Sequence, residues 1–97
     1  MRISLDYDGT FTEDPDLWLS FVRQAKLSGH TVYCITIRTP EEGKEVRHHL
    51  LNAVDEIYFT SRQGKMSYCA ENYIKVDVWI DDQPYFITGN ALDITKE

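Results

Sequence analysis

Apolar positions in this chain switch repeatedly between a strand rhythm and a helix rhythm. Arg2-Ile3-Ser4-Leu5 is a short β-prone run, and Gly9 supplies the turn beyond it. Asp14-Pro15-Asp16 then combines a cap, a first-turn proline and an acid that complements the helix dipole. Leu17, Trp18, Phe21, Val22 and Ala25 follow at helical spacing, with Gly29 as terminator, which assigns Trp18 to the core. Thr31 to Thr36 is β-branched, aromatic and nearly all apolar, as expected of a parallel strand buried on both faces. Thr39-Pro40-Glu41-Glu42 reads as a capping box opening a helix to about Leu51, and a third strand is expected from Glu56 to Thr60. Met66, Cys69, Ala70 and Tyr73 mark a third helix, Val76 to Ile80 a fourth strand, and Tyr85-Phe86-Ile87 a final helical turn or short strand. The order βαβαβαβ implies an α/β fold: a parallel sheet of about four strands, right-handed crossovers and helices over both faces.

Length and composition narrow this picture. At 97 residues the chain is expected to be one domain, spanning 1–97, and 42% hydrophobic residues with two tryptophans describe an ordinary globular protein. No apolar run reaches bilayer-spanning length and no basic segment precedes a long apolar stretch, so a cytoplasmic protein is expected. Cys34 and Cys69 sit far apart in apolar and helical contexts, which fits buried free thiols. The net charge of −6 argues against broad non-specific nucleic-acid binding. A small anionic substrate is compatible with it, because a bound cation and a few basic side chains reverse the potential inside a cleft.

The residues at the ends of the expected strands are Asp6 and Asp8, Thr36, Thr60 with Ser61, and Asp81 with Asp82. In a parallel sheet these ends share one edge, where ligands of open α/β sheets bind. Each has a plain alternative: Asp and Gly are ordinary turn residues, Thr36 can simply end a strand, Asp82 can cap a turn, and Lys65 can be a solvated charge. Carboxylates gathered without a counter-charge repel one another. A hard divalent cation with oxygen ligands removes the conflict, and magnesium suits a site where substrate phosphate completes the shell.

The chain resembles the haloacid dehalogenase superfamily of phosphohydrolases. Asp6-Tyr7-Asp8-Gly9-Thr10 matches its first motif, Asp-x-Asp-x-Thr. Val32-Tyr33-Cys34-Ile35-Thr36 matches the second, a hydrophobic strand ending in Ser or Thr, and Val78-Trp79-Ile80-Asp81-Asp82 the acidic fourth. The third motif is a basic residue opening a late helix, here Lys65, with Arg62 one turn away as the alternative. The resemblance covers Asp6 to Asp82 and implies a three-layer Rossmann-like fold and magnesium-dependent phosphomonoester hydrolysis. It implies Asp6 as nucleophile and Asp8 as general acid and base. Magnesium would be held by Asp6, the Asp8 carbonyl, Asp81 and Asp82, and the phosphoryl group by Thr36 and Lys65. Arg38, following Thr36, would recognise a second phosphate or a nucleotide, or else pair with Glu41 or Glu42. His48 and His49, late in the second helix, are expected to be solvated.

Many members of the superfamily carry a cap domain; here only Phe11-Thr12-Glu13 separates the first motif from the helix start. An uncapped, open site follows as the expectation. Such a site suits a bulky phosphorylated substrate, such as a nucleotide or a nucleic-acid end, a homo-oligomer whose neighbour supplies cover, or a small promiscuous phosphatase. A receiver domain is disfavoured, since its phosphate-accepting Asp at the third strand's end is replaced by Phe59-Thr60-Ser61. A non-catalytic regulatory or binding module on the same fold stays open.

Overall fold

The computed structural model describes residues 1–89. Four strands, β1 (Arg2–Leu5), β2 (Thr31–Thr36), β3 (Glu56–Phe59) and β4 (Val78–Ile80), form one parallel sheet in the order β3-β2-β1-β4. They are joined by the helices α1 (Pro15–Leu27), α2 (Lys44–Leu50) and α3 (Lys65–Glu71), and α4 (Tyr85–Thr88) follows β4. The fold is therefore α/β, a four-stranded parallel sheet flanked by helices, compatible with a Rossmann-like arrangement. Among the described residues no helix is long and apolar enough to cross a membrane.

Register and burial assign the faces. Ile3 pairs with Val32 and Leu5 with Cys34, and these four pack with Val22 and Ala25 of α1 and Val46 and Leu50 of α2. Ile57, Phe59 and Ile80 extend this layer from the outer strands. On the opposite face Tyr33 packs against Tyr58, and Tyr58 against Tyr68 of α3. Cys34 and Cys69 are buried free thiols, as expected.

Local chemistry explains several element ends, and the structure departs from the sequence expectation at several points. Asp14 caps α1 by accepting the Leu17 N–H at 3.2 Å, and Gly29 turns the chain at φ +90°. Leu17 is nevertheless 55% exposed, so the helix buries Val22 and Ala25 and half-buries Trp18 and Phe21. The Thr39 capping box forms, but it closes a single 3₁₀ turn (Pro40–Glu42) before α2 restarts at Lys44. Gly43 interrupts the helix where the Phe59 ring packs so closely that an added Cβ would lie 2.4 Å from it. The third helix ends at Glu71, and Tyr73, expected on its buried face, is 97% exposed at φ +57°. Tyr73 acts as the left-handed terminator, letting the Ile74 N–H return to the Cys69 carbonyl at 2.8 Å. The face α3 buries carries Lys65 and Cys69, while Met66 and Ala70 face outward. β3 stops at Phe59 and β4 begins at Val78, one and two residues inside the expected spans.

Candidate active site at the carboxyl edge of the sheet

The edge beyond β1 and β4 gathers most of the polar residues picked out from the sequence. The Asp6 N–H donates to the Ile80 carbonyl at 2.9 Å, holding β1 in the sheet one residue past its end. The chain then folds back, with the Phe11 N–H on the Asp6 carbonyl and the Thr12 N–H on the Tyr7 carbonyl. Gly9 sits in this turn at φ +82°, directly against the Asp82 carboxylate; a Cβ there would lie 2.3 Å from Asp82 Oδ2. Glycine is thus required twice, for its conformation and for the approach of Asp82.

Carboxylate oxygens of Asp6, Asp81 and Asp82 lie within 4.8 Å of one another. Thr10 ties the two segments together: its Oγ1 lies 3.3 Å from both Asp6 Oδ2 and Asp82 Oδ1 and accepts the Asp82 N–H at 3.2 Å. A hydroxyl has one proton, so Thr10 donates to one of the two carboxylates at a time. Asp81 Oδ1 accepts the Gln83 N–H at 2.9 Å, which orients its other oxygen toward Lys65.

Lys65, at the first position of α3, is 1% exposed and aims its ammonium at this cluster. Nζ donates to Asp6 Oδ1 at 2.8 Å and to Asp81 Oδ2. Arg62 does not take this place: its guanidinium donates to the Ile37 carbonyl and to Glu42. Burial works to lower the Lys65 pKa, but Asp6 and Asp81 outweigh it and hold the ammonium above its ordinary value. Burial pushes the Asp6 carboxyl up from 3.8 to about 7, against the lowering pull of Lys65. Three carboxylates thus face one ammonium, and among the described residues Asp82 has no cation bonded to it. This oxygen-rich, under-compensated set fits a hard divalent cation such as magnesium.

Asp8 stands apart. Its side chain is 52% exposed and bonded by Arg38, Nε at 2.9 Å and Nη2 at 2.7 Å, a bidentate fork. Arg38 therefore pairs with Asp8, while from Glu42 it uses only the main-chain carbonyl, through Nη1 at 2.8 Å. Thr36 is buried at the end of β2, and its Oγ1 accepts the Arg38 N–H at 3.3 Å. Asp8, Ile37, Arg38, Glu42, Glu45 and Arg62 line a cleft of about 590 Å³ beside this pair. On the other flank Gly9, Thr10, Leu17, Trp18, Asp81 and Asp82 border a second hollow of about 380 Å³. Thr60 is turned away from both, donating to the Gln63 carbonyl at 2.7 Å.

Three contributors were not assigned a site role from the sequence. Tyr7, between the two aspartates, is 1% exposed, stacks on Phe11, and its hydroxyl lies 2.8 Å from His49 Nδ1. His49 is thus engaged through one ring nitrogen, where solvation alone was expected. The alternation Ile3, Leu5, Tyr7 carries the signal that would have revealed Tyr7. Thr10 and Glu42 were legible only as a motif residue and a helix cap. Comparison with protein-family models, curated proteins and solved structures gives no match to this chain.

Proposed function

We propose that this chain is a magnesium-dependent phosphohydrolase of the haloacid dehalogenase type, hydrolysing phosphate monoesters through an aspartyl-phosphate on Asp6. The observation that carries the reading is the meeting of Asp6, Asp81 and Asp82 with the buried Lys65 at the carboxyl edge of a parallel sheet. The sheet order and helices are compatible with that superfamily's Rossmann-like fold, and the buried thiols fit a cytoplasmic setting. Asp6, Asp81, Asp82 and the Asp8 carbonyl would hold magnesium, which when bound supplies positive charge against the phosphoryl oxygens.

The chain's own groups divide the remaining work. One Asp6 oxygen attacks phosphorus as the bond to the ester oxygen breaks, and Asp8 gives that oxygen its proton. Water then attacks the phosphorus of the aspartyl-phosphate and gives a proton to Asp8, the bond from phosphorus to the Asp6 oxygen breaks, and phosphate leaves with Asp6 and the acid form of Asp8 regenerated. Lys65 and Thr36 face the charge that builds on the phosphoryl oxygens. For Asp8 to deliver a proton its fork with Arg38 must open, and phosphoryl oxygens are the natural competitor for the guanidinium.

That fork also favours a second reading. With Asp8 bound by Arg38 and Asp6 by Lys65, neither carboxylate is free, as in a binding module that no longer turns over. Hydrolysis of p-nitrophenyl phosphate with magnesium, abolished in Asp6→Asn, is expected of the enzyme. A panel with nucleoside monophosphates and 3′-phosphorylated oligonucleotides then ranks substrates. Magnesium-independent hydrolysis, or turnover retained in Asp6→Asn, refutes the mechanism, and silence across the panel supports the module.

A further inference from the structure

The outer face of α1 carries more apolar surface than the fold consumes. The helix buries Val22 and Ala25 and half-buries Trp18 and Phe21, yet Leu19 is 38% exposed and Leu27 77%. Single exposed leucines are ordinary, but these two border a hollow of about 440 Å³, together with Val22 and Ala53, and Arg23 and Lys26 lie alongside. A third exposed leucine, Leu51, precedes Asn52, which also lines the hollow. This hollow shares no lining residue with the two at the carboxyl edge of the sheet, so the candidate active site does not account for it.

Charge along the same face is polarised. Asp16, Leu19, Arg23 and Lys26 follow at spacings of three, four and three residues, so they form one solvent-facing stripe of α1 with its acid near the start and its bases near the end. Lys26 is partly engaged, its Nζ donating to the Ala53 carbonyl at 3.1 Å and lying 3.9 Å from Asp55. Among the described residues Asp16 and Arg23 form no ion pair. In a chain of net charge −6, a leucine-lined hollow flanked by cations suits an acidic, apolar segment, and the same stripe supplies one. Turned antiparallel, the stripe is complementary to itself: its acidic end meets a basic end, and Leu19, between Asp16 and Arg23, faces the hollow.

We propose that the outer stripe of α1, from Asp16 to Lys26, is a homodimer interface: a second copy of the chain packs its α1 antiparallel on the first, each Leu19 entering the other copy's hollow and each Asp16 facing the other copy's Arg23. Such a twofold contact is isologous, so every pairing in it is made twice. The interface stands independently of the enzymatic reading.

Sedimentation equilibrium of the full chain, at concentrations up to about 1 mM, should show a monomer–dimer equilibrium. Leu19→Asp should weaken it at least about 10-fold, because it places a carboxylate in an apolar hollow. Asp16→Lys and Arg23→Glu should each weaken it about 10-fold or more, since each sets like charges against one another twice. Mixed in equal amounts, these two variants should form a heterodimer within about 3-fold of the wild-type affinity, because both opposite-charge pairs return in it. A wild type that stays monomeric throughout the series leaves the hollow to another occupant and overturns the proposal. A dimer indifferent to all three substitutions, or a mixture of the charge variants that does not associate, overturns it equally.

Circular dichroism reports whether each variant is folded, and cross-linking keeps the question decidable if a charge variant is not. Ser20 is exposed beside the stripe, Ala70 is exposed on α3 over the opposite face of the sheet, and Cys34 and Cys69 are buried. A short bismaleimide should couple Ser20→Cys chains into dimers and leave Ala70→Cys chains uncoupled at the same concentration. Equal coupling of the two refutes the interface.

Discussion

Replacing Asp6 by asparagine should stabilise the protein at alkaline pH and do much less at mildly acidic pH. Burial raises the Asp6 carboxyl from 3.8 to about 7, so between those values the folded protein holds a proton that the unfolded chain has released. Unfolding free energy then falls as pH rises through that window. At about 1.4 kcal/mol per pH unit the whole window is worth at most about 4 kcal/mol. Between pH 5.5 and pH 8 the same linkage gives about 2 kcal/mol, because Asp6 is still protonated in the fold at the lower pH and ionised at the upper. The asparagine amide keeps the shape of the carboxyl and does not titrate. Glu42 and Asp77, whose pKa values are lowered by Arg62 and by the Arg2 N–H respectively, act in the opposite direction but equally in both proteins. Urea unfolding in EDTA at the two pH values should therefore show the advantage of Asp6→Asn growing by about 2 kcal/mol, equivalent to about 10 °C in Tm for a chain of this size. Magnesium at pH 8 should close the gap by binding the wild type. A change below about 0.5 kcal/mol between the two pH values would refute the dominance of burial over the Lys65 contact at Asp6.

Lys65→Met removes the ammonium bonded to Asp6 and Asp81 and should destabilise the metal-free fold by about 3 to 5 kcal/mol, read by urea unfolding, with magnesium recovering part of the loss. Gly9→Ala forces a Cβ against the Asp82 carboxylate at φ +82°, and should cost about 1 to 2 kcal/mol and weaken magnesium binding in calorimetry. Thr36→Val is near-isosteric and buried; it leaves the Arg38 N–H without its acceptor, costs about 1 to 3 kcal/mol, and should lower phosphatase kcat about 100-fold.

The strand ends were legible because each is announced by a local change from apolar run to acid or hydroxyl, and the parallel topology brings those ends together. Helix details were less legible because distant groups decide them. Phe59, on the neighbouring strand β3, makes Gly43 a break inside the second helix, and two carboxylates from other strands turn Lys65 inward, rotating the buried face of α3 away from Met66 and Ala70. The Arg38–Asp8 fork and the Arg62 bonds to Ile37 and Glu42 left no periodic trace at all, since they depend on side-chain reach between loops and on left-handed backbone at residues that rarely adopt it.

The different environments of the two aspartates follow from where the sheet ends. β1 ends at Leu5 and the chain turns from Tyr7 onward, so Asp6 stays at the sheet edge while Asp8 falls in the turn. Asp6 is still inside the ladder, its N–H on Ile80, with Lys65 and Thr10 closing over its carboxylate. Asp8 lies beyond the ladder, where the chain turns at Gly9, and among the described residues Arg38 is the cation that bonds it. On the proposed reading Asp6 gains from a position where Lys65 and Thr10 aim its carboxylate, whereas Asp8, which would exchange protons with water, gains from the wet one. The two environments thus match the two roles proposed for Asp6 and Asp8.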